Sequence, residues 1–176
     1  MKITKEFEGL NRIENGDYVY EGDLISDGDI EIELDDRLVV KGKIEAKNNI
    51  TATMSISAGD GISAGWGISA GDGISAGGSI SAGWGISAGD GISAGWGISA
   101  GDGISAGDGI SAGDGIRAGG SISAGEFIDC GKRIFAGTSV CWDSDDCDKS
   151  IKCKELLRGD IAYGDLIEEA RNETQT

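Results

Sequence analysis

Four carboxylates recur at intervals of 18 residues in the middle of the chain: Asp72, Asp90, Asp108 and Glu126. If the fold stacks these side chains, they repel one another, which favours a bound cation such as calcium. A regular column of negative charge would also imitate the phosphate spacing of nucleic acid. The alternative interpretation is a set of solvated residues that keep the protein soluble, because exposed like charges interact weakly in water.

Three tryptophans, Trp66, Trp84 and Trp96, occupy the same position of a sequence repeat as these carboxylates. An interior sized for isoleucine and alanine has no room for an indole ring, so we expect all three to point outward. Exposed tryptophans are common anchors of protein interfaces. Alternatively, each ring lies flat over neighbouring glycines and shields the backbone. Trp142 is closer to the C-terminus, where we expect it to be buried in a cap.

The four cysteines are Cys130, Cys141, Cys147 and Cys153, and the last three are spaced by six residues. Four thiols could ligate zinc. The spacing lacks a Cys-x-x-Cys pair, however, and Cys130 and Cys153 each replace an alanine of the repeat. We therefore favour buried cysteines that act as small apolar fillers, with no metal and no cofactor. A disulfide is the least favoured alternative, because the cytoplasm is reducing.

Catalysis is not expected. The chain has no histidine, the commonest general base and the commonest neutral metal ligand. It contains neither a nucleophile elbow nor a phosphate loop with its lysine. The Gly-x-Gly pattern is periodic, so its match to a dinucleotide-binding fingerprint is false. The sequence therefore predicts a protein that is not an enzyme.

A six-residue repeat must position all of these side chains. A large aliphatic residue occupies every sixth position from Ile32 to Val140, and a second apolar residue, usually alanine, follows two positions later. The alternation in Ile-Ser-Ala is typical of a strand with one buried face. The Gly-x-Gly that follows predicts a corner, because glycine adopts positive φ at low cost. We expect isoleucine and alanine to point inward and serine to point outward.

Such short strands can bury their apolar face only by stacking in successive coils. Three hexads per coil give a triangular coil of about 18 residues, and two give a flattened coil of about 12. We favour three, because a ring of three isoleucines fills a triangular interior.

The segment Leu38-Val39-Val40-Lys41-Gly42-Lys43-Ile44-Glu45-Ala46 resembles the bactofilins, polymer-forming cytoskeletal proteins built as right-handed triangular β-helices. The segment Arg133-Ile134-Phe135-Ala136-Gly137 is similar to glycine-rich repeat proteins of bacteria and their mobile elements. The resemblance covers about residues 24–140. It implies an all-β, single-stranded, right-handed solenoid of about 18 residues per coil. The near-perfect Ile-Ser-Ala-Gly repeat departs from the bactofilin pattern, which argues against filament formation.

Both ends of the chain leave the repeat. Residues 1–23 are predicted to form an N-terminal cap, residues 24–140 the solenoid, and residues 141–176 a C-terminal cap. In the C-terminal cap, Ile151, Leu157 and Tyr163 suggest a new six-residue register. The segment from Asp165 to Arg171 predicts a short helix.

The net charge of −16 and the pI of about 4.2 argue against direct binding of nucleic acid, since no cluster of lysine and arginine is evident in the sequence. No membrane association is expected, because the chain has no long apolar segment. The N-terminal residues lack the pattern of a secretory signal, which predicts a cytoplasmic protein.

Three functions are compatible with these features. The first is a non-catalytic, rigid, acidic module that binds or occludes a protein partner. The second is a phage-encoded inhibitor of a nucleic-acid-binding enzyme, of the anti-CRISPR or anti-restriction type, that imitates DNA. The third is a self-assembling scaffold like the bactofilins. For the first two, the candidate contact residues are Trp66, Trp84, Trp96, Asp72, Asp90, Asp108 and Glu126.

Overall fold

The computed structural model describes residues 1–138 and 148–168, which form an all-β, parallel solenoid of about 8 turns. The prediction of an all-β solenoid is confirmed. Within these two ranges, no helix has the length and apolar character needed to cross a membrane. The right-handed twist implied by the bactofilin resemblance stays a prediction.

Most of the 24 strands in the described residues contain only three residues. In chain order they are β1 (Lys2–Ile3), β2 (Leu10–Arg12), β3 (Tyr18–Tyr20), β4 (Leu24–Ser26), β5 (Ile30–Ile32), β6 (Leu38–Val40), β7 (Ile44–Ala46), β8 (Ile50–Ala52), β9 (Ile56–Ala58), β10 (Ile62–Ala64), β11 (Ile68–Ala70), β12 (Ile74–Ala76), β13 (Ile80–Ala82), β14 (Ile86–Ala88), β15 (Ile92–Ala94), β16 (Ile98–Ala100), β17 (Ile104–Ala106), β18 (Ile110–Ala112), β19 (Ile116–Ala118), β20 (Ile122–Ala124), β21 (Phe127–Phe135), β22 (Ser150–Cys153), β23 (Glu155–Tyr163) and β24 (Asp165–Glu168).

The strands stack into three walls. Wall A is a nine-stranded sheet in the order β1-β5-β8-β11-β14-β17-β20-β22-β24. Wall B contains β2, β3, β6, β9, β12, β15, β18 and the first part of β21; wall C contains β4, β7, β10, β13, β16, β19 and the second part of β21. Because β21 continues around a corner, walls B and C form one 15-stranded sheet. β23 pairs along β21 at the C-terminal end.

Strand register confirms the triangular coil. Residues 18 apart face each other from the pair Leu38 and Ile56 to the pair Ile116 and Ile134. Every isoleucine of the repeat from Ile44 to Ile134 is at most 1% exposed. Burial of one isoleucine side chain contributes about 1.5–3 kcal/mol to the free energy of unfolding. The 18-residue register excludes the flattened coil of two hexads, in which residues 12 apart would pair.

The register at the N-terminal end differs from the predicted one. Ile32 pairs with Ala52 and so takes an alanine position, while Ile30 pairs with Ile50. Two additional residues between β5 and β6 shift the series, which starts at Leu38 and not at Ile32. Leu24 correspondingly pairs with Ile44, 20 residues later.

A polar contact fastens the N-terminal segment to this first coil. Lys5 Nζ donates a hydrogen bond of 2.7 Å to Asp35, and the Tyr18 hydroxyl donates one of 2.8 Å to the other oxygen of the same carboxylate. These two donors, Lys5 foremost, lower the pKa of Asp35 to about 2. The carboxylate is therefore charged at any pH at which the protein is expected to work.

The C-terminal end also corrects two predictions. The predicted short helix is wrong for Asp165–Glu168, which forms β24 and pairs in parallel with β22. Strand pairing overrides the helix propensity of this glutamate-rich segment; residues 169–171 lie outside the described range. The predicted register is correct at Ile151, which pairs with Ile122 and is buried, and wrong at the next two positions. Leu156 and Ile161, not Leu157 and Tyr163, align with the inward isoleucines of the coil before.

The glycines of the repeat serve a purpose other than the predicted one. Positive φ values occur at Gly9, Gly16, Gly137, Gly159 and Gly164 among the described residues, and at none of the repeated Gly-x-Gly corners. The first glycine of each corner instead lies against the carbonyl of the coil before. A Cβ built on Gly89, for example, would lie 1.9 Å from the Gly71 oxygen. Close approach of the backbone, not left-handed conformation, therefore requires glycine at this position.

Candidate functional site

The corners of the solenoid arrange the variable residues of the repeat in columns. At the corner between walls A and B, the backbone N–H of each residue donates to the carbonyl of the residue one coil before. These distances are 3.3 Å from Asp90 to Asp72, 3.1 Å from Asp108 to Asp90, and 2.8 Å from Glu126 to Asp108. The structure thus stacks the four carboxylates predicted from their 18-residue spacing. We call this set the acidic column.

Most of the acidic column lacks a compensating charge. Glu126 forms an ion pair of 2.6 Å with Lys154, at the C-terminal end of the column. In the described ranges, Asp72, Asp90 and Asp108 form no ion pair, and no group of three or more metal-ligating residues is found. Successive coils lie about 4.8 Å apart, so the column presents about one negative charge per 4.8 Å. It therefore attracts cations and basic surfaces.

Two tryptophans form a second column, at the corner between walls C and A. The rings of Trp66 and Trp84 are stacked, with centroids 5.4 Å apart and an interplanar angle of 8°. The two residues remain 44% and 57% exposed. Their backbones follow Asn48 and precede Asp102 in one ladder of hydrogen bonds. We call Trp66 and Trp84 the tryptophan pair.

Trp96 lies elsewhere, at the corner between walls B and C. Its N–H donates to the carbonyl of Gly78, and its own carbonyl accepts from Asp114. With 66% of its surface exposed, it is the most exposed of the three repeat tryptophans. The structure therefore separates Trp96 from the other two.

Wall A connects the tryptophan pair with the acidic column. From β8 to β20, its outward residues between the two corners are small and uncharged: Thr51, Ser69, Ser87, Ser105 and Ser123. Charged residues take this position only towards the ends of the described part of the wall, as at Glu31 and Lys152. Six of the seven residues predicted to make contacts therefore border one flat face, and Trp96 is the exception. Which of them contact a partner stays a prediction.

Only two of the four cysteines lie in the described residues. Cys130 aligns with Ala112, and both Cys130 and Cys153 are buried and free. Burial is the main cause that raises the pKa of each thiol, which keeps the thiols protonated and unreactive. Cys141, Cys147 and Trp142 lie outside the described residues, so the zinc alternative stays untested.

A cluster of basic residues that we did not expect lies on wall C. Arg117, Lys132, Arg133 and Arg158 line one groove of about 1120 Å³. These residues are far apart in the sequence, and strand stacking brings them together. One signal was available: Arg117 replaces the serine in one Ile-Ser-Ala hexad, and Arg133 replaces the second glycine of a corner. The expectation that the chain has no basic cluster is therefore wrong.

Comparisons with known proteins leave the fold as the firmest conclusion. No protein-family model matches the chain, and neither a curated protein nor a solved structure is significantly similar to it. The resemblance to bactofilins accordingly stays a prediction.

Proposed function

We propose that the protein is a non-catalytic binding module, and that wall A with its two edges contacts a protein partner with a basic surface. The observation that carries this proposal is the exposed, stacked tryptophan pair on one edge of a flat wall whose other edge is the acidic column. Aromatic anchors and complementary charge are the two features that most often provide affinity and specificity at protein interfaces.

The tryptophan pair is suited to anchor a partner. Each ring already packs against the other, so association would immobilise little additional side-chain freedom. The exposed ring faces offer large apolar area, and truncation of such anchors typically costs about 2 kcal/mol or more. The solenoid holds both rings on paired backbone, which keeps them at a fixed distance from wall A.

The acidic column would orient the partner. Three of its carboxylates have no ion pair among the described residues, so a basic partner would replace solvent and not an existing contact. Such columns of one sign accelerate association and reject partners of like charge. A partner with lysine or arginine opposite the column and an apolar pocket opposite the tryptophan pair fits this face.

A second candidate function follows from the regularity of the acidic column. A DNA strand carries one charge per about 3.4 Å along the helix axis, and the column carries one per about 4.8 Å. The similarity supports a DNA-mimicking inhibitor that occupies the basic cleft of a nucleic-acid-binding enzyme. In this case the acidic column carries the binding and the tryptophan pair contributes little.

Quantitative affinity capture with matched variants tests both candidates. The first variant is W66N/W84N, which repeats at both tryptophan positions the asparagine that precedes them in their column, Asn48. The second is D72N/D90N/D108N, which removes charge and retains shape. W96N, on the other corner, is the control. A partner of wall A is lost from both wall-A variants and retained by W96N.

Salt separates the two functions. The DNA mimic would be favoured if the captured protein is a nuclease, if about 0.5 M salt abolishes its capture, and if W66N/W84N still captures it. Capture that survives salt but depends on the tryptophan pair would favour the protein-binding module. Equal loss in all three variants, or no loss in any, would contradict a role for wall A.

A further inference from the structure

Wall C carries a feature that the proposed function does not use. The small outward residues Ser81 and Ser99 are followed in the same column by Arg117 and then Phe135. A flat floor of small residues therefore ends at a step of large ones. Beside this step lies an open groove of about 1120 Å³, which Lys132, Arg133 and Arg158 also line.

The groove is cationic in a strongly acidic protein. Four basic side chains line it, and Asp160 is its one carboxylate. Lys132 pairs with Asp114 at 2.7 Å and Arg158 with Asp129 at 2.5 Å. Within residues 1–138 and 148–168, Arg133 has no ion pair, although Asp160 is its partner in strand register.

Arg117 is the second guanidinium without a compensating carboxylate. Its Nε donates a hydrogen bond of 3.3 Å to the Thr138 hydroxyl, and no ion pair to it is found in the described ranges. Both Arg117 and Arg133 are exposed and belong to adjacent strands of wall C. A single guanidinium group binds a carboxylate through two parallel hydrogen bonds. Because Arg117 and Arg133 line the same groove, an anionic group of a ligand there has two uncompensated guanidinium groups available to it.

The position of this charge restricts the ligand. The acidic column occupies the vertex of the triangular coil opposite wall C, and residues 48–116 contain neither lysine nor arginine. A polymer charged along its whole length would meet attraction only at one end of the groove. The ligand that fits carries its negative charge at one end and is polar and uncharged beyond it.

The floor adds a preference for hydroxyl groups. Ser79, Ser81 and Ser99 offer hydroxyls along the groove, which donate and accept hydrogen bonds. Backbone groups of the stacked strands are engaged with neighbouring coils, so an extended peptide would find no main-chain partners on this face. Phe135, partly buried beside Arg117, offers an apolar surface to a ring.

We propose that this groove on wall C binds a short oligosaccharide that ends in an acidic sugar, with its carboxylate between Arg117 and Arg133 and its neutral rings on the serine floor. The proposal is independent of the function proposed for wall A, because the two sites share no residue. It also differs in ligand class, a small glycan in place of a protein.

Titration calorimetry with defined probes tests the proposal. The probes are sialyllactose, its methyl ester, lactose and hexaglutamate, which separate the charge, the sugar and the peptide alternatives. We expect sialyllactose to bind about tenfold more tightly than its ester or lactose. Tighter binding of hexaglutamate, equal binding of lactose, or no binding of sialyllactose at millimolar concentration would each overturn the proposal.

The repeat itself provides matched variants. R117S restores the Ile-Ser-Ala hexad, and K152S makes the same charge change at the equivalent outward position of wall A, where Lys152 pairs with Ser123. We expect R117S to weaken sialyllactose binding about tenfold and K152S to change it less than about twofold. Equal effects of R117S and K152S on binding would show that only the net charge of the protein matters, and would overturn the proposed site. R133G, which restores the corner glycine, repeats the test should R117S lose its β-sheet circular dichroism.

Discussion

The two glycines of one corner should differ sharply in their tolerance of a methyl group. Gly89 and Gly91 belong to the same Gly-Asp-Gly corner and differ only in position. A Cβ on Gly89 would lie 1.9 Å from the carbonyl oxygen of Gly71, whereas a Cβ on Gly91 would lie 3.3 Å from that of Gly109. The first distance requires the coil to move, and the second requires a shift of a few tenths of an ångström. Gly89→Ala and Gly91→Ala are therefore a matched pair.

The expected cost follows from what must move. Relieving the clash at Gly89 separates two coils at the corner, where Gly89 donates to Ala70 and Asp90 donates to Asp72. Overpacking costs about 1–3 kcal/mol, and each weakened hydrogen bond adds about 1 kcal/mol. We expect Gly89→Ala to lower the free energy of unfolding by about 3–5 kcal/mol. For Gly91→Ala, the reduced entropy of the unfolded chain offsets mild crowding, so the change should stay within about 1 kcal/mol.

Urea denaturation measures this difference. With a slope of about 2 kcal/mol/M, Gly89→Ala should lower the midpoint by about 1.5–2.5 M, and Gly91→Ala by less than about 0.5 M. Since solenoids can unfold in parts, far-ultraviolet circular dichroism and tryptophan fluorescence should be recorded together. Trp84 and Trp96, which flank the corner in the sequence, contribute to the fluorescence. Equal midpoints for the two variants would refute the close-approach explanation.

Two further predictions concern ionisable groups. Asp35 has a folded pKa of about 2, below its unfolded value, so its stabilising effect is complete above about pH 4 and is lost as the pH falls toward about 2. The protection of the first-coil amides from hydrogen exchange, relative to their intrinsic exchange rates, should decrease over that range, and D35N should remove this dependence. The buried thiols of Cys130 and Cys153, whose pKa values burial raises, should resist alkylation at about pH 8. The test uses a variant in which serine replaces Cys141 and Cys147. Rapid labelling of Cys130 and Cys153 in this variant without denaturant would contradict the burial of these two thiols.

The coil could be predicted from the sequence because one pattern specifies it many times. Each hexad repeats the same inward isoleucine and alanine, which leaves open the number of hexads per coil and the handedness of the coil. The size of the isoleucine side chain decides the number of hexads, since three such side chains fill a triangular interior. The columns of Asp72 and Trp66 follow directly, because an 18-residue coil places every third hexad on the same corner.

The parts that were mispredicted depend on contacts between coils that no single hexad encodes. The need for glycine at the first corner position comes from a carbonyl 18 residues away, not from the local φ value. The β24 strand exists because β22 offers it an edge, although its own residues favour a helix. The basic groove likewise depends on the alignment of Arg117 with Phe135 and on the position of β23 beside β21.

The fold permits the absence of positive charge beside Asp72, Asp90 and Asp108 but does not require it. Outward serine positions accept basic residues, as Arg117 on wall C and Lys152 on wall A demonstrate. A lysine at Ser93, on the wall that follows the column, would therefore be structurally tolerated and would neutralise Asp90. Residues 48–116 nevertheless contain six carboxylates and no lysine or arginine. Folding gains nothing from this imbalance, because uncompensated like charges repel. An acidic face that folding does not require and that neutral substitutions could remove is expected where a basic partner binds.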